Sequence, residues 1–166
     1  GIIPNDELAQ EAGLETKDGI IVDSCTRTSD PSIFAIGDCT RHESRYFGGK
    51  LRLESVHNAL EQAKTAAADI CGNPLAYDQV PWFWSDQYDL KLQIAGLNTG
   101  YDRVVVRDGD SCVSHWYFKD DKFLAVDAIN APRDYMVGKR LLEMGLSVTP
   151  DAVADPGTNL KSLLRP

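Results

Sequence analysis

The 166-residue sequence lacks several patterns that would assign a function directly. It contains no G-x-G-x-x-G phosphate-binding turn, and its only adjacent glycines, Gly48 and Gly49, lie in a polar stretch. Its four cysteines form no C-x-x-C pair, which disfavours a redox dithiol and a zinc or iron–sulfur site. We therefore predict no metal site, and we expect Cys39 to be a buried small residue rather than a redox thiol.

Excess positive charge and long apolar runs are also absent. The formal net charge is −8, whereas a nucleic-acid footprint needs a clustered cationic face. No apolar stretch approaches the roughly 20 residues that span a bilayer, and no signal peptide precedes Ile2. We expect no nucleic acid and no membrane as partners, and a cytoplasmic location by default. The chain begins at Gly1 rather than at methionine, so we expect a truncated or proteolysed piece of a longer protein.

The most informative segment that is present runs from Thr28 to Asp38. Asp30-Pro31 breaks the chain, and the apolar run Ile33–Ile36 is too short for a helix, so we predict a short buried strand. Gly37 then permits a tight turn, which leaves Asp38 as an exposed acceptor for sugar-like hydroxyls at the carboxyl end of a strand. Ordinary turn chemistry describes the same residues equally well.

A helix is predicted after a loop over residues 39–54. Ser55 is an N-cap candidate, an Ala-rich run follows, and Gly72 is a stop signal. A helix N-terminus carries a partial positive charge that favours an anionic ligand, which would place His57 and Asn58 beside that ligand. A capped surface helix with a polar first turn is the alternative interpretation.

The second half of the chain changes character after a connector near residues 73–80. Alternating and β-branched runs separated by turn residues predict strands at 90–94, 101–107, 112–118 and 123–128, arranged as an antiparallel meander. Pro132 and Gly145 bracket a predicted helix whose residues Tyr135, Leu141 and Leu142 should pack on that sheet. This half is therefore expected to be an α+β module.

Two segments resemble one family of flavoproteins. The run Phe34-Ala35-Ile36-Gly37-Asp38 resembles the second flavin-binding motif of two-dinucleotide-domain flavoprotein reductases. The segment Pro81–Gln87, P-W-F-W-S-D-Q, resembles the opening of the C-terminal domain of NADH-dependent ferredoxin reductases. These FAD proteins serve the [2Fe–2S] ferredoxins of cytochrome P450 and aromatic-ring dioxygenase systems. The resemblance runs along the whole chain, but the front part of the family is absent.

The resemblance implies a fold and a division of the chain. Residues 1–75 would be the C-terminal portion of an FAD/NAD-binding domain, a remnant of its α/β fold. Residues 76–166 would be the reductase C-terminal domain, an antiparallel meander with packed helices. The ADP half of FAD and the NADH site are expected on the missing N-terminal part. The whole is an α+β protein.

The resemblance also implies roles for individual residues. Electrons would pass from NADH through FAD to a [2Fe–2S] ferredoxin, and no catalytic nucleophile or base is required. The expected FAD-binding residues are Gly37, Asp38, Val56, His57 and Trp84, where Trp84 is favoured over Trp82 as the shield of the ring edge. An acidic ferredoxin needs a locally cationic docking site, for which the candidates are Lys64, Lys139, Arg140 and Lys161.

The isolated chain is expected to be inactive by itself. A rival hypothesis of another class treats it as a non-catalytic module that docks a partner or dimerises. That rival needs no flavin and gives no reason for Gly37-Asp38 followed by the Ser55 helix. An exposed apolar face within residues 1–72 could also drive self-association of the fragment.

Overall fold

A computed structural model describes residues 1–165, which form two compact units. The first unit comprises Gly1–Gln79 and the second begins at Val80. The first contains a three-stranded mixed sheet with helices, and the second contains a five-stranded antiparallel sheet with helices. The predicted α+β class is confirmed. None of the helices within residues 1–165 has the length and apolar character needed to cross a bilayer.

The sheet of the first unit contains a hairpin that the sequence did not reveal. After helix α1 (Glu7–Glu11), the strands are β1 (Ile20–Ile21), β2 (Thr40–Ser44) and β3 (Gly49–Arg52). β1 pairs parallel with β2, and β2 pairs antiparallel with β3. The prediction of a loop over 39–54 was therefore wrong. The buried residues of β2 are Thr40, His42 and Ser44, and this polar set hides the alternation that hydrophobic patterning detects.

The predicted buried strand over Ile33–Ile36 was also wrong. Ile33 and Ile36 are 39% and 41% exposed, and only Phe34 makes a bridge, with Arg27. The segment continues into a 3-10 turn over Gly37–Cys39. An apolar run indicates that a segment is suited to burial, but it does not identify the strand against which the segment would pack. Among the described residues, no strand lies alongside this run. The nearby apolar run over residues 20–22 likewise forms a strand only at Ile20–Ile21.

Helix α2 spans Val56–Ile70, as the sequence predicts. The Ser55 hydroxyl accepts a hydrogen bond from the Asn58 N–H at 3.0 Å, which satisfies one N–H group of the first turn. The buried face of α2 is largely polar. Its members recur at helical spacing and are Asn58, Gln62, Thr65, Ala66 and Asp69. Asn58, Gln62 and Asp69 attach the helix to the surrounding loops by side-chain hydrogen bonds.

The second unit is built on five antiparallel strands. They are β4 (Trp82–Gln87), β5 (Leu90–Gly96), β6 (Arg103–Gly109), β7 (Cys112–Lys119) and β8 (Lys122–Ile129). Their order across the sheet is β4-β5-β8-β7-β6. The last three strands form the predicted meander, while β5 pairs with β8 rather than with β6. Asp120 and Asp121 both have positive φ, which suits the two-residue turn between β7 and β8.

Helix α3 (Pro132–Met144) covers one face of this sheet. Pro132 occupies its first turn, and Gly145 ends it in a left-handed conformation. Trp116, Phe118 and Leu141 are fully buried between them. Helix α4 (Pro150–Ala154) and a 3-10 segment over Leu160–Leu164 add Val153 and Leu160 to the same core. The predicted packing of Tyr135, Leu141 and Leu142 is confirmed.

Gly138 sets how closely α3 approaches the sheet. A Cβ at this position would lie 2.5 Å from Val126 Cγ1, so Gly138→Ala must push α3 away from β8. Alanine gains about 1 kcal/mol of helix propensity over glycine, but overpacking of a core costs about 1–3 kcal/mol. We expect Gly138→Ala to lower the free energy of unfolding of the second unit, measured by urea titration with tryptophan fluorescence.

The control is Met136→Ala, on the exposed side of the same helix. It should change the free energy of unfolding by no more than about 0.5 kcal/mol. If Gly138→Ala is as stable as the starting protein or more stable, the close approach of α3 and β8 is contradicted.

Candidate functional site

The Gly37–Asp38 turn presents a carboxylate to solvent. Gly37 has φ +82°, a conformation that favours glycine, and the Asp38 side chain is exposed. The Asp38 backbone carbonyl accepts a hydrogen bond from Arg52 Nη1 at 3.1 Å. The described residues offer the Asp38 carboxylate itself no hydrogen-bond donor. Its acceptor capacity is therefore available to a ligand.

A fully buried amide, Gln62, holds this turn against helix α2. Gln62 Oε1 accepts a hydrogen bond from the Gly37 N–H at 2.7 Å, and the Thr40 hydroxyl lies 3.0 Å from the same oxygen. The Thr40 hydroxyl also lies 2.8 Å from the Gly37 carbonyl oxygen. Both backbone polar groups of Gly37 are thus satisfied by side chains.

The amide of Gln62 also determines the state of His42. Gln62 Nε2 lies 3.2 Å from His42 Nδ1, and because the Gln62 oxygen already faces the Gly37 donor, its nitrogen donates to the imidazole. His42 Nδ1 is therefore the acceptor of a neutral ring. Burial lowers the pKa of His42, which favours the same neutral form. The ring of Tyr77 packs on His42 edge to face, with centroids 4.9 Å apart.

The start of α2 lies beside this turn, since α2 contacts the Gly37–Cys39 segment. Val56 is 56% exposed and His57 is half-buried. Asn58 was expected beside a ligand, but its side chain is 1% exposed and donates inward to the Leu53 carbonyl at 3.2 Å. That expectation was wrong, because Asn58 is a structural member of the polar inner face. The expected ligand contacts at Val56 and His57 stay predictions.

The two tryptophans of β4 lie on one side of the strand, as their alternate spacing predicts. Their ring centroids are 5.1 Å apart. Trp82 is half-buried near Tyr135 and Lys139, and the Lys139 ammonium lies 5.9 Å from the Trp82 ring. Trp84 is 46% exposed. Trp84 is thus the more accessible of the two rings, which is the property that a contact residue requires.

The four candidate docking cations fall into three local settings. Lys64, on α2, pairs with Glu61. Lys139 and Arg140, on α3, both pair with Glu143 at 2.9 and 3.1 Å, and these cations lower the pKa of Glu143. Lys161 lines a surface groove of the second unit together with Arg107 and Arg133. Lys64, Lys139 and Arg140 are therefore paired with carboxylates, and Asp134 lines the same groove as Lys161.

Cys39 is less buried than the sequence analysis predicts. All four cysteines are free, and Cys39 is half-buried beside the turn. Residues 1–165 contain no cluster of histidine, cysteine and carboxylate side chains that could hold a metal ion.

Gln62 is the site residue that the sequence interpretation missed. It lies in an Ala-rich helix whose pattern indicates only a surface helix. The available signal was the recurrence of polar residues at positions 58, 62, 65 and 69, which share one helical face with Ala66. When both faces of a helix carry polar residues, the sequence pattern does not identify which face is buried.

Known proteins match the chain along nearly its whole length. Putidaredoxin reductase CamA of Pseudomonas putida is 42% identical over 99% of this chain, and rhodocoxin reductase of Rhodococcus erythropolis is 45% identical over 97%. The crystal structure of a ferredoxin reductase from Rhodopseudomonas palustris matches with a TM-score of 0.94 at 46% identity over 99% of this chain. Putidaredoxin reductase in covalent complex with putidaredoxin matches with a TM-score of 0.93 at 42% identity, again over 99%.

The chain spans about two-fifths of the length of these relatives, from 38% to 41%. Residues 1–63 match the model of the family described as pyridine nucleotide-disulphide oxidoreductase, and this match defines the class. Residues 82–164 match the model described as reductase C-terminal. The chain belongs to the ferredoxin reductase family of putidaredoxin and rhodocoxin reductases, and it corresponds to their C-terminal portion.

The neutral state of His42 predicts that the first unit loses stability on acidification. The ordinary histidine pKa is 6.5, and burial lowers the pKa of His42 in the folded state. Below about pH 6.5 the unfolded chain therefore binds more protons than the folded chain. The free energy of unfolding should be greatest above that pH and fall between about pH 7 and 5. Urea titrations followed by the amide NMR signals of α2 measure this decrease.

The variant His42→Gln is the control, because it retains a buried hydrogen-bonding side chain that does not titrate. Its free energy of unfolding should change less between about pH 7 and 5 than that of the starting protein. Equal slopes in the two proteins would contradict a buried neutral His42.

Proposed function

We propose that this chain supplies the flavin-ring side and the C-terminal domain of an NADH-dependent ferredoxin reductase. Residues 1–75 would belong to the FAD/NAD-binding domain and residues 76–166 to the reductase C-terminal domain. The observation that carries the proposal is the exposed Asp38 carboxylate, which has no donor among the described residues and belongs to a turn that packs on the 15-residue helix α2. The NADH site would belong to the N-terminal part of such a reductase, and we expect no turnover by this chain alone.

The residues present fit one part of FAD. The Asp38 carboxylate can accept a hydrogen bond from a hydroxyl of the ribityl chain, and Gly37 supports the turn that exposes it. The first turn of α2, at Val56 and His57, would offer N–H groups and a partial positive charge to the carbonyl edge of the ring. FAD would supply the electron transfer from NADH to a one-electron acceptor. The role of this chain is to position the cofactor and stabilise its negative charge.

The β4 tryptophans would cover the edge of the ring. Trp84 is nearly half exposed, so an aromatic ligand can pack on it without any rearrangement of the core. Trp82 is held by Tyr135 and Lys139 and would act as the support of Trp84. We therefore assign the contact to Trp84.

The partner would be an acidic [2Fe–2S] ferredoxin. Lys139 and Arg140 form a cationic pair close to the tryptophans within the second unit. Lys64 and Lys161 are further candidates for the same role. Each cation would mainly raise the rate constant of association with an acidic partner, because charges at the rim of an interface guide the diffusional approach of the two proteins.

Asp38→Asn tests the cofactor proposal. The asparagine keeps the size of the side chain but loses the charge and half of its acceptor capacity, so FAD binding should weaken about tenfold or more. The visible absorbance of the purified chain, titrated with FAD over roughly 350–500 nm, measures the affinity. Glu43→Gln, an exposed carboxylate of β2, is the control with the same change of charge and should bind as the starting protein does.

If the starting protein shows no shifted flavin bands, the chain has no flavin half-site and is at most a docking module. If Asp38→Asn and Glu43→Gln bind FAD equally well, flavin binding does not depend on Asp38.

The docking proposal is tested by charge reversal on α3. The double variant Lys139→Glu/Arg140→Glu should lower the affinity for an acidic [2Fe–2S] ferredoxin about tenfold at low ionic strength. The loss should shrink as salt shortens the Debye length from about 10 Å at 0.1 M to about 3 Å at 1 M. Isothermal titration calorimetry at two salt concentrations measures both effects.

Lys119→Glu/Lys122→Glu at the β7–β8 turn is the matched control, since it makes the same charge change with exposed lysines elsewhere in the second unit. A similar loss of affinity in both double variants would show a general charge effect and contradict docking at α3.

A further inference from the structure

Gln62 is the one fully buried side chain of α2 that contacts the Gly37–Asp38 turn through hydrogen bonds. Its exposure is 0%, and it lies 25 residues along the chain from Gly37. No apolar residue could replace it without leaving the Gly37 N–H buried and unsatisfied, because that N–H points to Gln62 Oε1. Burial restricts the position of the Gln62 side chain, and its hydrogen bond to the Gly37 N–H restricts the position of the turn.

The orientation of the Gln62 amide is determined by its three neighbours. The Gly37 N–H can only donate, so the atom 2.7 Å away is the amide oxygen. The amide nitrogen then faces His42 Nδ1, which must accept. A flipped amide would set two N–H groups against each other at Gly37. One tautomer of His42 and one rotamer of Gln62 are therefore compatible with this turn.

The other hydrogen bonds of the turn lead to β2 and β3 rather than to α2. The preceding residues make one bridge, between Arg27 and Phe34, and Ile36 is exposed. Apart from Gln62, the Gly37 carbonyl accepts from the Thr40 backbone N–H and lies 2.8 Å from the Thr40 hydroxyl, and the Asp38 carbonyl accepts from Arg52. Gln62 alone connects the turn to helix α2 by a hydrogen bond among the bonds seen in residues 1–165.

We infer that Gln62 is the positioning residue of Asp38: it locks the Gly37 backbone against α2 and so fixes where the Asp38 carboxylate meets its ligand. The inference rests on the proposed FAD site, which it deepens, because Gln62 itself is buried and touches no ligand. It couples the two parts of the half-site, the carboxylate and the helix N-terminus, through one amide. Without that coupling the position of the turn relative to α2 would have to be fixed on binding, which costs affinity.

Three variants test the inference in the full chain. Gln62→Leu removes both polar atoms, and Gln62→Glu retains an oxygen acceptor for Gly37. Asp69→Asn is the matched control, because Asp69 lies on the same buried face of α2 but pairs with Arg27. The readouts are hydrogen exchange of the Gly37 amide, the NMR titration of the His42 ring, and the dissociation constant for FAD.

In the starting protein the Gly37 amide should be protected from exchange. Gln62→Leu should lower this protection and the FAD affinity by about tenfold or more, while Asp69→Asn leaves both within about twofold. Gln62→Glu should preserve the protection and raise the pH at which His42 titrates, since a carboxylate oxygen beside Nδ1 favours a protonated ring. A side chain that only stabilised the fold would lower the Gly37 protection and the FAD affinity no differently in Gln62→Leu than in Asp69→Asn.

The inference is overturned if the Gly37 amide exchanges freely in the starting protein, or if Gln62→Leu and Asp69→Asn change its protection equally. If one variant does not fold, the exchange rate of the Gly37 amide in the starting protein still tests the inference, because free exchange there would overturn it. An absence of FAD binding by the starting protein refutes the proposed function, while the Gly37 protection reports separately on the positioning of the turn. If FAD binds and Gln62→Leu binds it as tightly as the starting protein, the positioning role is refuted and the flavin site stands.

Discussion

The polar inner face of α2 is the constraint on which the first unit depends. Asn58, Gln62 and Asp69 are buried, and each must find a hydrogen-bond partner or destabilise the fold. Their partners are the Leu53 carbonyl, the Gly37 N–H and the Arg27 guanidinium, which pairs with Asp69 through two nitrogens. One helix thereby fixes three separate loops. The buried apolar residues of this unit are few, so directional bonds rather than core volume specify its shape.

The second unit is specified in a different way. Its core is a continuous apolar cluster in which Trp116, Phe118 and Leu141 are fully buried, and Gly138 lets α3 lie close on the sheet. Because the buried residues hold this core together, substitutions on its surface are expected to be tolerated. The exposed residues of β4 and α3 can therefore serve contacts with other molecules. Within this unit the accessible ring of Trp84 and the cationic pair on α3 are therefore carried on rigid elements.

Signals in adjacent residues predicted much of this structure. The elements that were predicted wrongly depend on pairing between residues distant in the sequence. Ser55 with the alanine run predicted α2, and Pro132 with Gly145 predicted α3, because capping and stop signals are written in adjacent residues. The segment Ile33–Ile36 and the β2–β3 hairpin were misjudged because their burial depends on partners distant in sequence or on polar inward residues. The motif led to the prediction of Asp38, whereas Gln62 was missed because its contacts form only when α2 meets the turn.

The central claim is that the Gly37–Asp38 turn and the start of α2 form one flavin half-site. NMR chemical-shift mapping of the isotopically labelled chain during addition of FAD tests it most directly. The account predicts that the largest shifts occur at the backbone amides of Gly37, Asp38, Val56 and His57. Shifts confined to other surfaces, or no shifts at saturating FAD, would contradict it.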